Sequence, residues 1–289
     1  MKSSNIGGQA VMEGIMMRSG DQYSIGVRKP DGEIEVKVEP YRSWAKDSSI
    51  WKLPVFRGVA SFFESLVVGI RCLMYSASFI EDEEENAKKP GKEKTEEQKE
   101  KEEKWLMYGT MTFSVIFSIA LFIMLPYFLA GFLRNVTTSE GVIAVAEACV
   151  RMILFLGYLV LISRMKDIQR VFMYHGAEHQ CINCVEHGRE LNVENVMKSS
   201  REHKRCGTSF LLFVMIVSII FFLFIRVSSP VLRVVIRLLL MPVIAGVSYE
   251  IIRLAGQSDN KIVALLSKPG LMLHHLTTRE PEPEQPRVH

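Results

Sequence analysis

The densest cluster of chemically capable side chains is Tyr174-His175-Gly176-Ala177-Glu178-His179. On a helix, residues four apart project from one face about one turn from each other. His175 and His179 would therefore present two imidazoles to a single point, with Glu178 beside them. Two such rings can hold a transition metal, and the neighbouring carboxylate can take a proton from a water that the metal polarises. The order His-x-x-Glu-His is that of the inverted zincins.

A catalytic zinc needs a third protein ligand and an open position. Continuing the four-residue ladder gives Asn183 and His187. Glu186 also returns to the face, but about 10 Å along the axis from His179 at 1.5 Å per residue, too far to share an ion on a straight helix. Donors from elsewhere fit better: His203 first, in HKRCGTSF, then Glu250, then Cys206. The expected metal set is thus His175, His179, His203, Cys206 and Glu250, with Glu178 as the catalytic base and zinc as the cofactor. The bland alternative makes the two histidines polar-face residues of a juxtamembrane helix. Cys181 and Cys184 form a C-x-x-C overlapping the motif; with no second such pair, two small buried thiols fit it better than a metal clip or redox pair.

The surrounding chain must hold these groups at a membrane. Of 289 residues, 48% are hydrophobic and 23% charged, and the apolar ones are bunched into runs longer than a globular core helix needs. A bilayer core about 30 Å thick takes roughly 20 apolar residues in helix. Trp105–Leu133, Gly141–Ser163, Thr208–Ile225 and the interrupted Val234–Ile252 meet that length. The connection 134–140 carries one basic residue and the connection 164–207 carries eight, so the latter and both termini belong on the cytoplasmic side. The net charge of +3 and the lack of a basic patch interleaved with aromatics argue against a nucleic-acid partner.

The expected fold is therefore mainly α and membrane-integral. It has about four transmembrane helices, an interfacial amphipathic helix and a small N-terminal β element. Residues 1–50 form the cytoplasmic β-containing segment, with a turn at Pro30-Asp31-Gly32 and an oddly placed Glu13 among small and apolar neighbours. Residues 51–80 form an interfacial or re-entrant helix carrying Arg57, Glu64 and Arg71 at seven-residue spacing. Residues 81–104, with eleven acids and seven bases, are a solvated linker or fraying helix. Residues 105–255 are the membrane region and 256–289 a cytoplasmic tail, where the adjacent His274 and His275 would not face one point. Within the spans, Glu147 and Arg151 are four apart and can neutralise each other, while Arg233 and Arg237 would snorkel to the outer interface.

The stretches GGQAVMEGIMMR, PVFRG, YHGAEH, LNVENV…HKRCGTSF, PVIAGVSYEIIRLAG and PGLMLHHLTTREP occur in this order. Together they resemble the YqhQ-like family of bacterial multi-pass membrane proteins of unknown function, sometimes described as predicted metal-dependent enzymes. The resemblance covers most of the chain outside the charged linker and extreme C-terminus. It carries the family motif onto His175, Glu178, His179, His203 and Cys206, and the amino-terminal signature onto Gly7, Gly8 and Glu13. Asn183 and Lys204 depart from the pattern, in which His and Pro are frequent, and Cys181 and Cys184 lie outside it. Two functions follow as expectations. One is a hydrolase-like metal enzyme at the cytoplasmic face of the bacterial inner membrane, in contact with membrane lipid. The other is a non-enzymatic scaffold or assembly factor that docks a protein partner or a second copy. A transporter built on the broken fourth helix is a weaker third option.

Overall fold

The computed structural model describes residues 4, 6–43, 49–87, 96–203, 206–225, 227, 229–257 and 261–288. Elements run from four strands into a long helical region. The strands are β1 (Gly7–Val11), β2 (Gly14–Ser19), β3 (Gln22–Arg28) and β4 (Ile34–Pro40), and they form one antiparallel meander in the order β1-β2-β3-β4. The helices are α1 (Phe56–Ala87), α2 (Glu96–Ile119), α3 (Leu125–Gly131), α4 (Glu140–Ile162), α5 (Lys166–Glu186), α6 (Val193–Met197), α7 (Gly207–Phe224), α8 (Pro230–Gln257) and α9 (Lys261–Thr277). The expected turn at Pro30-Asp31-Gly32 joins β3 to β4, and the Gly- and Met-rich first stretch is itself a hairpin, β1–β2. Both flanks of the charged segment are helical, in α1 and α2; its centre, 88–95, lies outside the described residues.

Chain contacts divide the molecule into two compact units: residues 1–83, 159–218 and 239–289, and residues 84–158 and 219–238. In the first, the sheet lies between two helices. Alternation along each strand sends one set of side chains to each face. Val11, Met16, Tyr23, Ile25 and Val27 pack with Tyr41 against Cys72, Val68, Tyr75 and Phe79 of α1. Ala10, Ile15 and Met17 pack on the other face against Tyr174 and Ala177 of α5. Two members of the polar stripe of α1 have defined partners. Glu64 receives hydrogen bonds from Tyr41 and Ser43, and Arg57 forks onto Glu250 of α8.

Glu13 sits in the β1–β2 turn at φ +52°, a left-handed conformation that non-glycine residues rarely adopt. Its carboxylate accepts from Arg170 Nε and Nη2 and from the Tyr174 hydroxyl, so the strained turn is held by the very helix that carries the His-Glu-His motif. Burial raises the Tyr174 hydroxyl to about 12, helped by Glu13, and keeps it a donor.

In the second unit, Glu147 does more than neutralise Arg151. It accepts from Arg151 at 2.6 Å and from Arg237 of α8 at 2.5 Å, with all three side chains buried. Arg237 therefore does not snorkel; burial beside a carboxylate already in place makes the interior the better site. The two guanidiniums also lie 5.0 and 4.8 Å from the Phe222 ring centroid, close enough for a cation–π contribution. Pro126 lacks the N–H that would bond to Phe122 four residues back. The freed Phe122 carbonyl accepts from Arg151 Nε at 3.1 Å, and the chain widens there into a π-turn, Ala120–Met124.

Among the described residues, five helical segments are long and apolar enough to cross a membrane: Phe56–Ile80, Tyr108–Asn135, Glu140–Ile162, Gly207–Phe224 and Val231–Leu254. That is one more than the sequence reading gives, the extra being α1, whose charged stripe is diluted by the Phe-, Val- and Leu-rich turns between.

Candidate metal site

The site is built on α5. His175 and His179 share a face as their spacing requires, with ring centroids 4.5 Å apart. Each is oriented through its other ring nitrogen. His175 Nδ1 donates to the Thr277 carbonyl at 2.9 Å and His179 Nδ1 to the Arg201 carbonyl at 3.0 Å. A carbonyl can only accept, so both Nδ1 atoms carry the proton and both Nε2 lone pairs point into the site, the arrangement usual for metal-bound histidine. Burial, followed by the neighbouring His175, His274 and His203, holds His179 far below the ordinary histidine range. It is neutral and available as a ligand.

Two further donors complete the cluster. Cys206, just before α7, places its Sγ 3.2 Å from His175 Nε2, and it accepts from the Thr208 backbone N–H at 3.4 Å. His274 comes from α9, wholly buried and stacked on His179 at 4.5 Å. The Thr278 hydroxyl gives its proton to the His274 carbonyl at 2.8 Å and lies 3.3 Å from His274 Nδ1. That leaves His274 Nε2 buried without a hydrogen-bond partner. One donor atom from each of His175, His179, Cys206 and His274 falls within 4.8 Å of all the others. Three imidazoles and a thiol suit zinc or a similar borderline-soft ion, and an orphaned buried Nε2 costs free energy unless something binds it. The residues fit a metal.

Glu178 completes the constellation. Its Oε2 lies 3.9 Å from His179 Nε2 and 4.0 Å from His175 Nε2. Its carboxyl is buried under β1, where a Cβ on Gly8 would come within 2.6 Å of Oε1; only glycine leaves the carboxylate its place. Burial pushes Glu178 up to about 7, with the neighbouring His175 opposing and Cys206 adding to the rise.

Two expected ligands stand outside the cluster. His203 Nε2 faces Glu186 Oε2 at 3.6 Å, and its ring lies 5.6 Å from that of His179. It lines the wall of the site, because the 198–203 loop is drawn down by Asn183. That side chain donates to the Ser200 and Glu202 carbonyls at 2.6 and 3.0 Å. Glu250 is neutralised by Arg57. Cys181 and Cys184 point to the opposite side of α5, against Val196 and Met17, where burial raises the Cys181 thiol.

A family model described as "Protein of unknown function (DUF1385)" matches residues 53–289. The "Uncharacterized protein YqhQ" of Bacillus subtilis (strain 168) is 37% identical over 288 residues, covering 98% of this chain and 89% of that protein. The chain belongs to the YqhQ-like, DUF1385 family. No solved structure matches it. The family match extends over α5, Cys206 and α9, so every member of the four-donor cluster lies inside it.

His274 is the residue that sequence reasoning missed. A signal was present: Gly270, His274 and Thr277 recur at helical spacing and are all buried, while Met272 and His275 on the other side are exposed. Gly270 lies against Ser209 of α7, and this contact carries α9 to the start of α7 and hence to Cys206.

Proposed function

We propose that this protein is a metal-dependent hydrolase working at the cytoplasmic surface of a bacterial membrane. The observation that carries the reading is the convergence of four donor atoms within 4.8 Å beside a buried carboxylate. His175, His179, His274 and Cys206 would hold the ion. When bound, zinc supplies Lewis-acid polarisation of a carbonyl and acidification of water. Glu178 removes the proton from the attacking water and returns it to the leaving group. The Thr277 and Arg201 carbonyls keep His175 and His179 in the ligating tautomer. Burial of His179, His274 and Glu178 keeps bulk water out.

The membrane reading takes four crossings, α2–α3, α4, α7 and α8, with α1 lying along the sheet. What supports it is the face of α1 that packs on β-strand residues through Val68, Cys72, Tyr75 and Phe79, together with the excess of Lys and Arg between 164 and 207. Both termini are then cytoplasmic, on the same side as the site.

A second reading is favoured by the count of donors. Four protein ligands close a tetrahedral site, as in structural zinc, and would make the cluster a clasp within a scaffold. Two substitutions in the purified full-length protein separate the readings. In a hydrolase, Glu178→Gln retains the metal and lowers turnover of an unfolded protein or a phospholipid ester by about 100-fold or more. Cys206→Ala leaves the three histidines still binding. Undiminished turnover in Glu178→Gln, or no turnover of either substrate by wild type, would refute the hydrolase. Unfolding of Cys206→Ala on metal loss would favour the clasp.

A further inference from the structure

The Gly-Gly of the amino-terminal signature opens the edge of a sheet at the site. Residues Val11 and Gly14 face each other across the two-residue turn, followed outward by Gln9 with Met16 and Gly7 with Arg18. In an antiparallel ladder, residues bond alternately to one neighbouring strand and to the other. Gly7, Gln9 and Val11 therefore bond to β2, and Gly8 and Ala10 turn their N–H and C=O groups outward from the free edge of β1. Met12 has the same parity, and its outward N–H donates to Ser76 Oγ of α1 at 3.2 Å, which closes the ladder at that end. Among the described residues, none bonds to the outward groups of Gly8 and Ala10. Gly7 is exposed, and a Cβ there would meet nothing within 4 Å.

We propose that the substrate is an extended stretch of polypeptide that adds to β1 as a fifth strand, laying a peptide carbonyl beside Glu178. The inference rests on the hydrolase reading and names its substrate class. An exposed sheet edge binds extended peptides through main-chain hydrogen bonds. A docked strand would lie about 4.8 Å from β1, and Gly8 and Ala10 would repeat at roughly 6.8 Å, the two-residue repeat of a strand. A lipid ester has no donors and acceptors at that repeat. Gly8 is at once the outward-bonding residue and the one over which Glu178 lies, so the ladder registers a bound chain against the base. Water adds to the carbonyl carbon and the C–N bond breaks. The new carboxyl keeps the oxygen, and the departing amine takes the proton that Glu178 received.

The test uses metal-loaded, full-length Glu178→Gln protein in detergent, followed by hydrogen-exchange mass spectrometry over residues 7–12. One probe is reduced, carboxymethylated α-lactalbumin, a permanently unfolded chain; the other is phosphatidylglycerol in mixed micelles. The unfolded chain should slow exchange at Gly8 and Ala10 at least fivefold and leave Gln9 unchanged, while the lipid slows neither. Ala10→Pro removes one outward donor at an edge position where proline is tolerated. It should weaken capture of the unfolded chain about tenfold at wild-type metal content. Slowing by the lipid alone, no slowing by the unfolded chain, or undiminished capture by Ala10→Pro would overturn the proposal. Absence of metal from wild type with the edge still protected would instead refute the hydrolase and leave a peptide-docking edge.

Discussion

A carboxyl raised by burial makes the metal-free protein sensitive to pH in a calculable direction. Glu178 is buried and lifted from 4.5 to about 7, so the folded state holds its proton more tightly than the unfolded chain does. Stability from this group is fully present below about pH 4.5 and is lost as pH rises through 7. At 1.36 kcal/mol for each pH unit, the loss amounts to about 3 kcal/mol. Glu178→Gln keeps the shape and cannot ionise. After chelation, it should melt close to wild type at pH 4.5 and roughly 6–12 °C above it at pH 8, taking about 2–4 °C per kcal/mol for a chain of this size. Intrinsic fluorescence from the protein in detergent reads the transition. Zinc should shrink the pH 8 gap, because a cation beside the carboxylate offsets its burial. An equal shift at both pH values, or a larger one in acid, would refute the assignment of Glu178 as a carboxyl whose burial outweighs its neighbours.

Other substitutions test the supports of the site. Gly8→Ala sets a methyl within 2.6 Å of Glu178 Oε1; it should cost about 1–3 kcal/mol by overpacking, seen as a lower melting temperature, with metal content unchanged. Gly176→Ala drives a methyl into the Arg279 carbonyl and pushes away the segment whose Thr277 carbonyl orients His175. Zinc affinity, measured by competition with a chromophoric chelator, should fall about 10–100-fold. Glu147→Gln leaves Arg151 and Arg237 buried with a neutral partner and should destabilise by about 3–5 kcal/mol, visible in thermal unfolding, with zinc affinity unaffected.

Periodicity and spacing carried some of this arrangement further than others. The His-x-x-Glu-His pattern is local: helical geometry fixes which face His175 and His179 share, and the sequence alone suffices. The third histidine is non-local. His274 reaches the site because Gly270 lets α9 meet Ser209 at the start of α7; the spacing within α9 marks a face but not the partner that face meets. His203 looked better because it lies close in sequence, yet Asn183 and Glu186 hold its loop in the wall instead. Arg237 misleads for a related reason: the rule that arginines near helix ends reach for the interface gives way when Glu147 and Phe222 from other helices supply a buried partner. The Gly-Gly signature shows its purpose only in three dimensions, where Gly8 makes room for a carboxylate from α5.

Metal stoichiometry in paired variants tests the central claim most directly. The full-length protein, purified without chelator and analysed by inductively coupled plasma mass spectrometry, should carry about one transition-metal ion per chain. His203→Ala should keep that ion and His274→Ala should lose it. Wild type without stoichiometric metal, or His274→Ala loaded as fully as wild type, would contradict the site.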